Sequence, residues 1–142
     1  MKKILYVGND LKRESSNSTV MRRLGPTLEK EGYTIYYTSS KSSKLLRLLD
    51  MLYNVLRYSR KVDIVLIDTY STLNFYYALF VSWLARRIKL DYIPILHGGN
   101  LVSRLKSSPI LSRSIFRKAL VNVSPSKFLK LEFEKLGYDN VK

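Results

Sequence analysis

The chain has 142 residues, 46% apolar and 25% charged, which places it among ordinary single domains with a real hydrophobic core and excludes a disordered polymer. It has no cysteine and one histidine, so disulfides, thiolate metal sites and a cysteine nucleophile are excluded, and a zinc site would need a carboxylate cluster that the sequence does not contain. Twenty-five Lys and Arg against eleven Asp and Glu leave a formal charge of +14, which points to nucleic acid, an anionic membrane surface or a phosphorylated substrate, or else to a solvated basic face.

The basic start Met1-Lys2-Lys3 leads into Ile4–Val7, an apolar run too short for a signal peptide, which reads as a first strand ending at Gly8. Asn17 or Ser18 caps a helix toward Lys30, with Gly25-Pro26 expected to split or kink it. Gly32 stands where a helix C-terminal glycine belongs, and Tyr33–Thr38 is an aromatic and β-branched second strand. Lys44 to Arg60 has helical periodicity over about 25 Å. Leu45, Leu48, Leu49, Leu52, Val55 and Leu56 form its expected buried face, opposite Lys44, Arg47, Asp50, Asn54 and Arg57.

Val62–Ile67 is a continuous apolar run stopping at Asp68, the pattern of a strand buried on both faces. Thr72–Ile88 is a hydrophobic helix with Arg86 and Arg87 at its negative end. Its most apolar part, Leu73–Ala85, is far shorter than the roughly 20 residues needed to span a bilayer. Tyr92–Leu96 is a fourth strand running into His97-Gly98-Gly99. Asn100 to Ser114 reads as loop-rich with a short helix, Ala119–Val123 as a fifth strand, and Ser124 as the cap of a helix to Leu136 that Gly137 stops. Tyr138–Lys142 looks like the entry to a sixth strand, as if the sequence were the first part of a longer one.

This alternation predicts one α/β domain over 1–142, a Rossmann-like, doubly wound parallel sheet in three layers, α/β/α. Ligands of such sheets gather outside the carboxyl ends of the strands. His97 falls there, with a side chain whose ordinary pKa lies near neutrality, and glycines beside it admit a close approach. Gly98 and Gly99 are equally well explained as turn residues. Gly8 and Asn9 follow the first strand, and Tyr70 and Ser71 the third. Either Ser71 or Thr72 can instead cap the next helix. Arg104 and Lys106 are candidate phosphate partners or solvated charges, and Ser124 ends the fifth strand.

The strand ending in His97-Gly98-Gly99, with Ala119-Leu120-Val121-Asn122-Val123-Ser124-Pro125-Ser126-Lys127-Phe128-Leu129-Lys130 and its continuation through Leu136-Gly137, resembles the N-terminal domain of GT-B glycosyltransferases, above all the large retaining family 4 (group 1) type. The resemblance implies the acceptor-side half of an enzyme that moves a sugar from a nucleotide-sugar donor to a saccharide or lipid-linked acceptor. His97 would lie beside the transferring sugar, and Gly8, Asn9, Tyr70, Ser71, Gly98, Gly99, Arg104 and Ser124 would line the substrate cleft. It implies no cofactor and no metal, a C-terminal donor-binding domain that this sequence does not contain, and hence no activity of the chain alone. It also implies a cytoplasmic location, peripheral at the inner face of the membrane, in polysaccharide or glycolipid assembly. One departure stands out. Where the family has a glycine-rich turn, Gly8-Asn9-Asp10 is followed by the polar run Glu14-Ser15-Ser16-Asn17-Ser18-Thr19, and Asp10 would repel a phosphate.

Basic residues cluster at Lys41, Lys44, Arg47, Arg57, Arg60 and Lys61, at Arg86, Arg87 and Lys89, and at Arg104, Arg113, Arg117 and Lys118. With Leu46, Met51 and Tyr53 as exposed neighbours, they predict contact with an anionic membrane. Two other classes compete. A receiver-like signalling domain would use Asp10 and Asp68, but it needs a cluster of acids around magnesium. A basic nucleic-acid-binding module fits the charge and the eleven tyrosines, although the aromatics do not alternate with cations as a stacking platform would. A dinucleotide-binding enzyme lacks its G-x-G-x-x-G after the first strand.

Overall fold

Residues 2–8, 20–38, 43–98 and 100–142 are described by a computed structural model of the chain. Its elements, in order, are β1 (Lys3–Val7), α1 (Val20–Lys30), β2 (Thr34–Thr38), α2 (Lys44–Tyr58), β3 (Ile64–Thr69), α3 (Asn74–Arg87), β4 (Asp91–Leu96), α4 (Leu101–Ser107), α5 (Pro109–Phe116) and α6 (Lys127–Lys135). The four strands pair in parallel in the order β2-β1-β3-β4. The architecture is therefore the expected Rossmann-like three-layer α/β/α. The expected caps Asn17 and Ser18 lie outside the described residues.

Strand periodicity and crossover handedness divide the core. Right-handed crossovers put α1, which leads from β1 outward to β2, on one face, and the helices that lead the other way on the opposite face. Side chains alternate accordingly. Ile4, Tyr6, Ile64, Leu66 and Ile95 pack with Met21 of α1. Leu5, Val7, Val65, Ile67, Tyr92 and Leu96 pack in one cluster with Met51 and Val55 of α2, Phe75 and Val81 of α3, Leu105 of α4, Phe116 of α5 and Phe133 of α6.

The structure corrects several sequence expectations. Helix α1 is not split at Gly25-Pro26 but runs from Val20 to Lys30 with Pro26 inside it, and Gly25 leaves no room for a side chain beside the Tyr37 ring. The stretch 100–114 is not loop-rich but forms α4 and most of α5, with Pro109 at a helix start, where its missing N–H is harmless. Strand β3 continues past Ile67 through Asp68 and Thr69, because β4 offers Ile95 and Leu96 as partners. The fifth and sixth strands shrink to isolated parallel bridges, Ile95 with Val123 and Asn122 with Val141, which extend the sheet beyond β4. There Val123 N–H donates to Pro94 O at 2.9 Å and Lys142 N–H to Asn122 O at 3.0 Å. Helix α3 starts after Leu73 with no side-chain cap, so neither Ser71 nor Thr72 caps it. Ser126 rather than Ser124 caps α6, accepting from Leu129 N–H at 3.2 Å.

Helix α2 is rotated from its expected setting. It buries Arg47, Met51 and Val55, while Leu45, Leu49 and Leu56 of the expected apolar face point to solvent. Polar anchors set this rotation. Thr38 of β2 donates its hydroxyl to Asp50 Oδ2 at 3.2 Å and accepts from Asn54 Nδ2 at 3.3 Å, turning residues expected to face solvent toward the sheet. Tyr77 OH of α3 donates to Lys44 O at 3.2 Å and fixes the start of the helix. Met51, expected to be exposed, is therefore 2% accessible, whereas Leu49 is 52% accessible. Met51→Ala should destabilise the fold by about 2–5 kcal/mol in urea denaturation, and Leu49→Ala should change stability by less than about 0.5 kcal/mol. Equal losses at the two positions would contradict this orientation.

Candidate functional site

The extension of β3 by two residues creates the site. It carries Asp68 to the carboxyl edge of the sheet, between the ends of β1 and β4, on the face where even-numbered β1 side chains lie. Tyr6, near the end of β1, donates its hydroxyl to Asp68 Oδ1 at 2.9 Å. His97, the first residue after β4, places Nε2 2.9 Å from the same oxygen. The backbone N–H of His97 donates to Thr69 O at 3.0 Å, which fixes the imidazole's attachment point relative to Asp68. Tyr70 stacks on the imidazole, with ring centroids 4.6 Å apart and planes 19° off parallel. Gly98 then turns the chain away at φ +83°, a conformation that favours glycine.

Gly8 makes room for this arrangement. Its N–H donates to Thr38 O at 2.7 Å and so belongs to the sheet rather than to a ligand. A Cβ at this position would stand 2.5 Å from Asp68 Oδ2 and 2.9 Å from Met21 Cε. A side chain would thus collide with the carboxylate, and glycine is the residue that lets Asp68 lie against β1. A small pocket beside the acid is lined by Gly8, Asp68, Tyr70 and Asn74, among others.

The electrostatics follow from burial. The Tyr6 hydroxyl is held well above its ordinary pKa, first by burial and then by the charge and hydrogen bond of Asp68. Tyr70 is raised by burial and, secondarily, by Asp68. Both phenols therefore remain protonated at neutral pH. An ionised carboxylate only accepts, so His97 Nε2 is the donor in its bond to Asp68. In the neutral imidazole this leaves Nδ1 as a proton acceptor, with a tautomer set by the acid rather than by solvent. The arrangement can hold a hydroxyl group or take a proton from one.

The other expected site residues fall elsewhere. Arg104 sits on α4, its Nε donating to Ser71 O at 3.0 Å and its guanidinium stacked 5.0 Å from the Phe75 ring and 5.3 Å from that of Tyr76. It braces α4 against the start of α3. Ser124 turns its hydroxyl onto Ser126, donating to Ser126 O at 2.8 Å. Asn9 and Gly99 lie outside the described residues, as does Asp10. His97 and Tyr70 are thus brought together, with Gly8 beneath Asp68. Asp68 as the partner of His97, Tyr6 and Asn74 are the residues sequence reasoning missed. The available signal for Asp68 was an acid at the end of an otherwise apolar strand, at the same sheet edge as the histidine. Among the described residues no group of three or more acidic or histidine side chains could hold a metal ion. Neither family models nor curated proteins yield a match to this chain.

The raised Tyr6 pKa has a consequence for stability. The folded state keeps this proton at pH values where the unfolded chain, with a tyrosine pKa near 10, has lost it. The stabilisation is therefore complete below about pH 10 and declines as pH rises above it. Thermal melts between neutral and strongly alkaline pH should show Tyr6→Phe losing less stability above this point than the unaltered chain. Parallel curves would contradict the coupling.

Proposed function

We propose that this chain is the acceptor-side domain of a GT-B-type glycosyltransferase. In this reading the domain works with a donor-binding domain that carries the nucleotide sugar, and its substrates are saccharide or lipid-linked acceptors at the cytoplasmic face of a membrane. The observation that carries the reading is the Asp68–His97 pair at the carboxyl edge of a parallel sheet, where ligands of such sheets collect. A carboxylate that fixes the imidazole leaves the other ring nitrogen to engage a sugar hydroxyl, and the Tyr70 ring beside it provides a flat surface of the kind on which sugar rings pack. A receiver-like reading is less well supported. Asp68, the residue such a domain would modify, already accepts from both Tyr6 and His97 through Oδ1, while Oδ2 is pressed against Gly8.

Because His97 is the only histidine, its imidazole NMR signals report on the site without assignment. Oligosaccharides related to surface polysaccharides and glycolipids should shift those signals on titration into the chain. Tyr70→Ala should weaken their binding by roughly tenfold, and His97→Ala should abolish transfer once the donor domain is supplied. Saccharides that leave the imidazole unperturbed across such a panel would sink the reading.

A further inference from the structure

The rotation of α2 leaves an apolar ridge on the outside of the protein. Leu45, Leu49, Tyr53 and Leu56 recur at helical spacing and are all more than half exposed, Leu45 at 65% and Tyr53 at 61%. They lie opposite the buried Arg47, Met51 and Val55, so they point directly away from the sheet. On α3, Phe80 and Trp83 are likewise exposed, opposite the buried Val81 and Ala85. The two helices cover the same face of the sheet and are tied by the Tyr77–Lys44 hydrogen bond. Their outward stripes therefore face the same way and form one surface. Scattered exposed leucines are ordinary, but two adjacent helices presenting leucines and aromatics together are not.

The charge around this ridge has one sign. Lys44, Arg57 and Arg87 are exposed beside it, and the Arg87 guanidinium lies 5.8 Å from the Trp83 ring. Helix α3 contains no acid, and the single acid of α2, Asp50, is turned toward Thr38 of β2. We propose that the α2–α3 ridge docks on an anionic lipid bilayer, with the leucines and Trp83 entering the interface and the cations pairing with headgroups. The composition is that of an in-plane interfacial surface, with apolar side chains, amphipathic aromatics and a basic rim. No helix among the described residues is long and apolar enough to cross a membrane. A second copy docking through the same ridge would set like charges against each other in a chain of net charge +14. The inference involves no group of the His97 site and requires no transfer chemistry.

Trp83 is the only tryptophan, so its fluorescence reports directly on the ridge. The full chain is mixed with vesicles of phosphatidylglycerol and phosphatidylcholine, or of phosphatidylcholine alone, and binding is read by sedimentation and by emission. The anionic vesicles should bind the chain and shift Trp83 emission to the blue. The triple variant Leu45→Ser, Leu49→Ser, Phe80→Ser should keep the unaltered circular dichroism spectrum and lose roughly tenfold or more in vesicle affinity. Those three side chains are already exposed, so their loss leaves the core intact. If that variant fails to fold, Tyr53→Ser with Leu56→Ser gives the same readout at the other end of α2. Binding without a blue shift, or equal binding by the folded variants, would overturn the proposal. So would a chain that dimerises through the ridge instead, or one whose Trp83 responds to single-stranded DNA but not to vesicles. A positive vesicle result with no saccharide binding would leave this surface standing while the glycosyltransferase reading fell.

Discussion

A carboxylate buried at the edge of an apolar sheet is the constraint around which the site is organised. A buried charge left without partners is costly, by several kcal/mol. The chain instead meets Oδ1 with two donors from two different strands, Tyr6 from β1 and His97 from the end of β4. Each of these groups depends on the acid in turn. Tyr6 stays protonated because it is buried beside a negative charge, and His97 is held in one tautomer. Gly8 belongs to the same constraint, since any side chain there would occupy the space of the carboxylate. Three strand ends are thereby locked at one point, which is how a parallel sheet gives its carboxyl edge a defined shape.

The fold was legible because its main signals are periodic and local. Continuous apolar strands, helices of period 3.6 and glycines after helices predicted the order and most bounds, and Gly32 and Gly137 do adopt positive φ. What the sequence hid depends on pairing and rotation. Whether Asp68 ends a strand or lies inside one is decided by β4, which no local signal near residue 68 reveals. The setting of α2 is decided by Thr38, a strand residue that captures Asp50 and Asn54. A broad leucine face accepts several rotations, and these polar contacts choose one. Pro26 lies inside α1 without ending it, although a proline there removes a helix hydrogen bond.

The same logic explains why the site was found only in part. His97 announces itself as a lone imidazole after a strand, and Tyr70 as its neighbour on the same edge. Asp68 looks like a strand terminator, Tyr6 like a core aromatic and Asn74 like a polar interruption in an apolar helix. Arg104, which reads as a free cation, is held by a carbonyl and two rings. Local spacing identifies residues that end elements. Groups that act together across strands emerge only once the register is known.

Asp68 fixes the imidazole of His97 through Nε2. Proton–nitrogen correlation NMR of that single histidine tests it most directly. The Nε2 proton should resonate downfield and be protected from solvent exchange, and it should be lost in Asp68→Ala while the fold is retained. A ring protonated at Nδ1 in its neutral form, or an Nε2 proton that persists unchanged without Asp68, would contradict it.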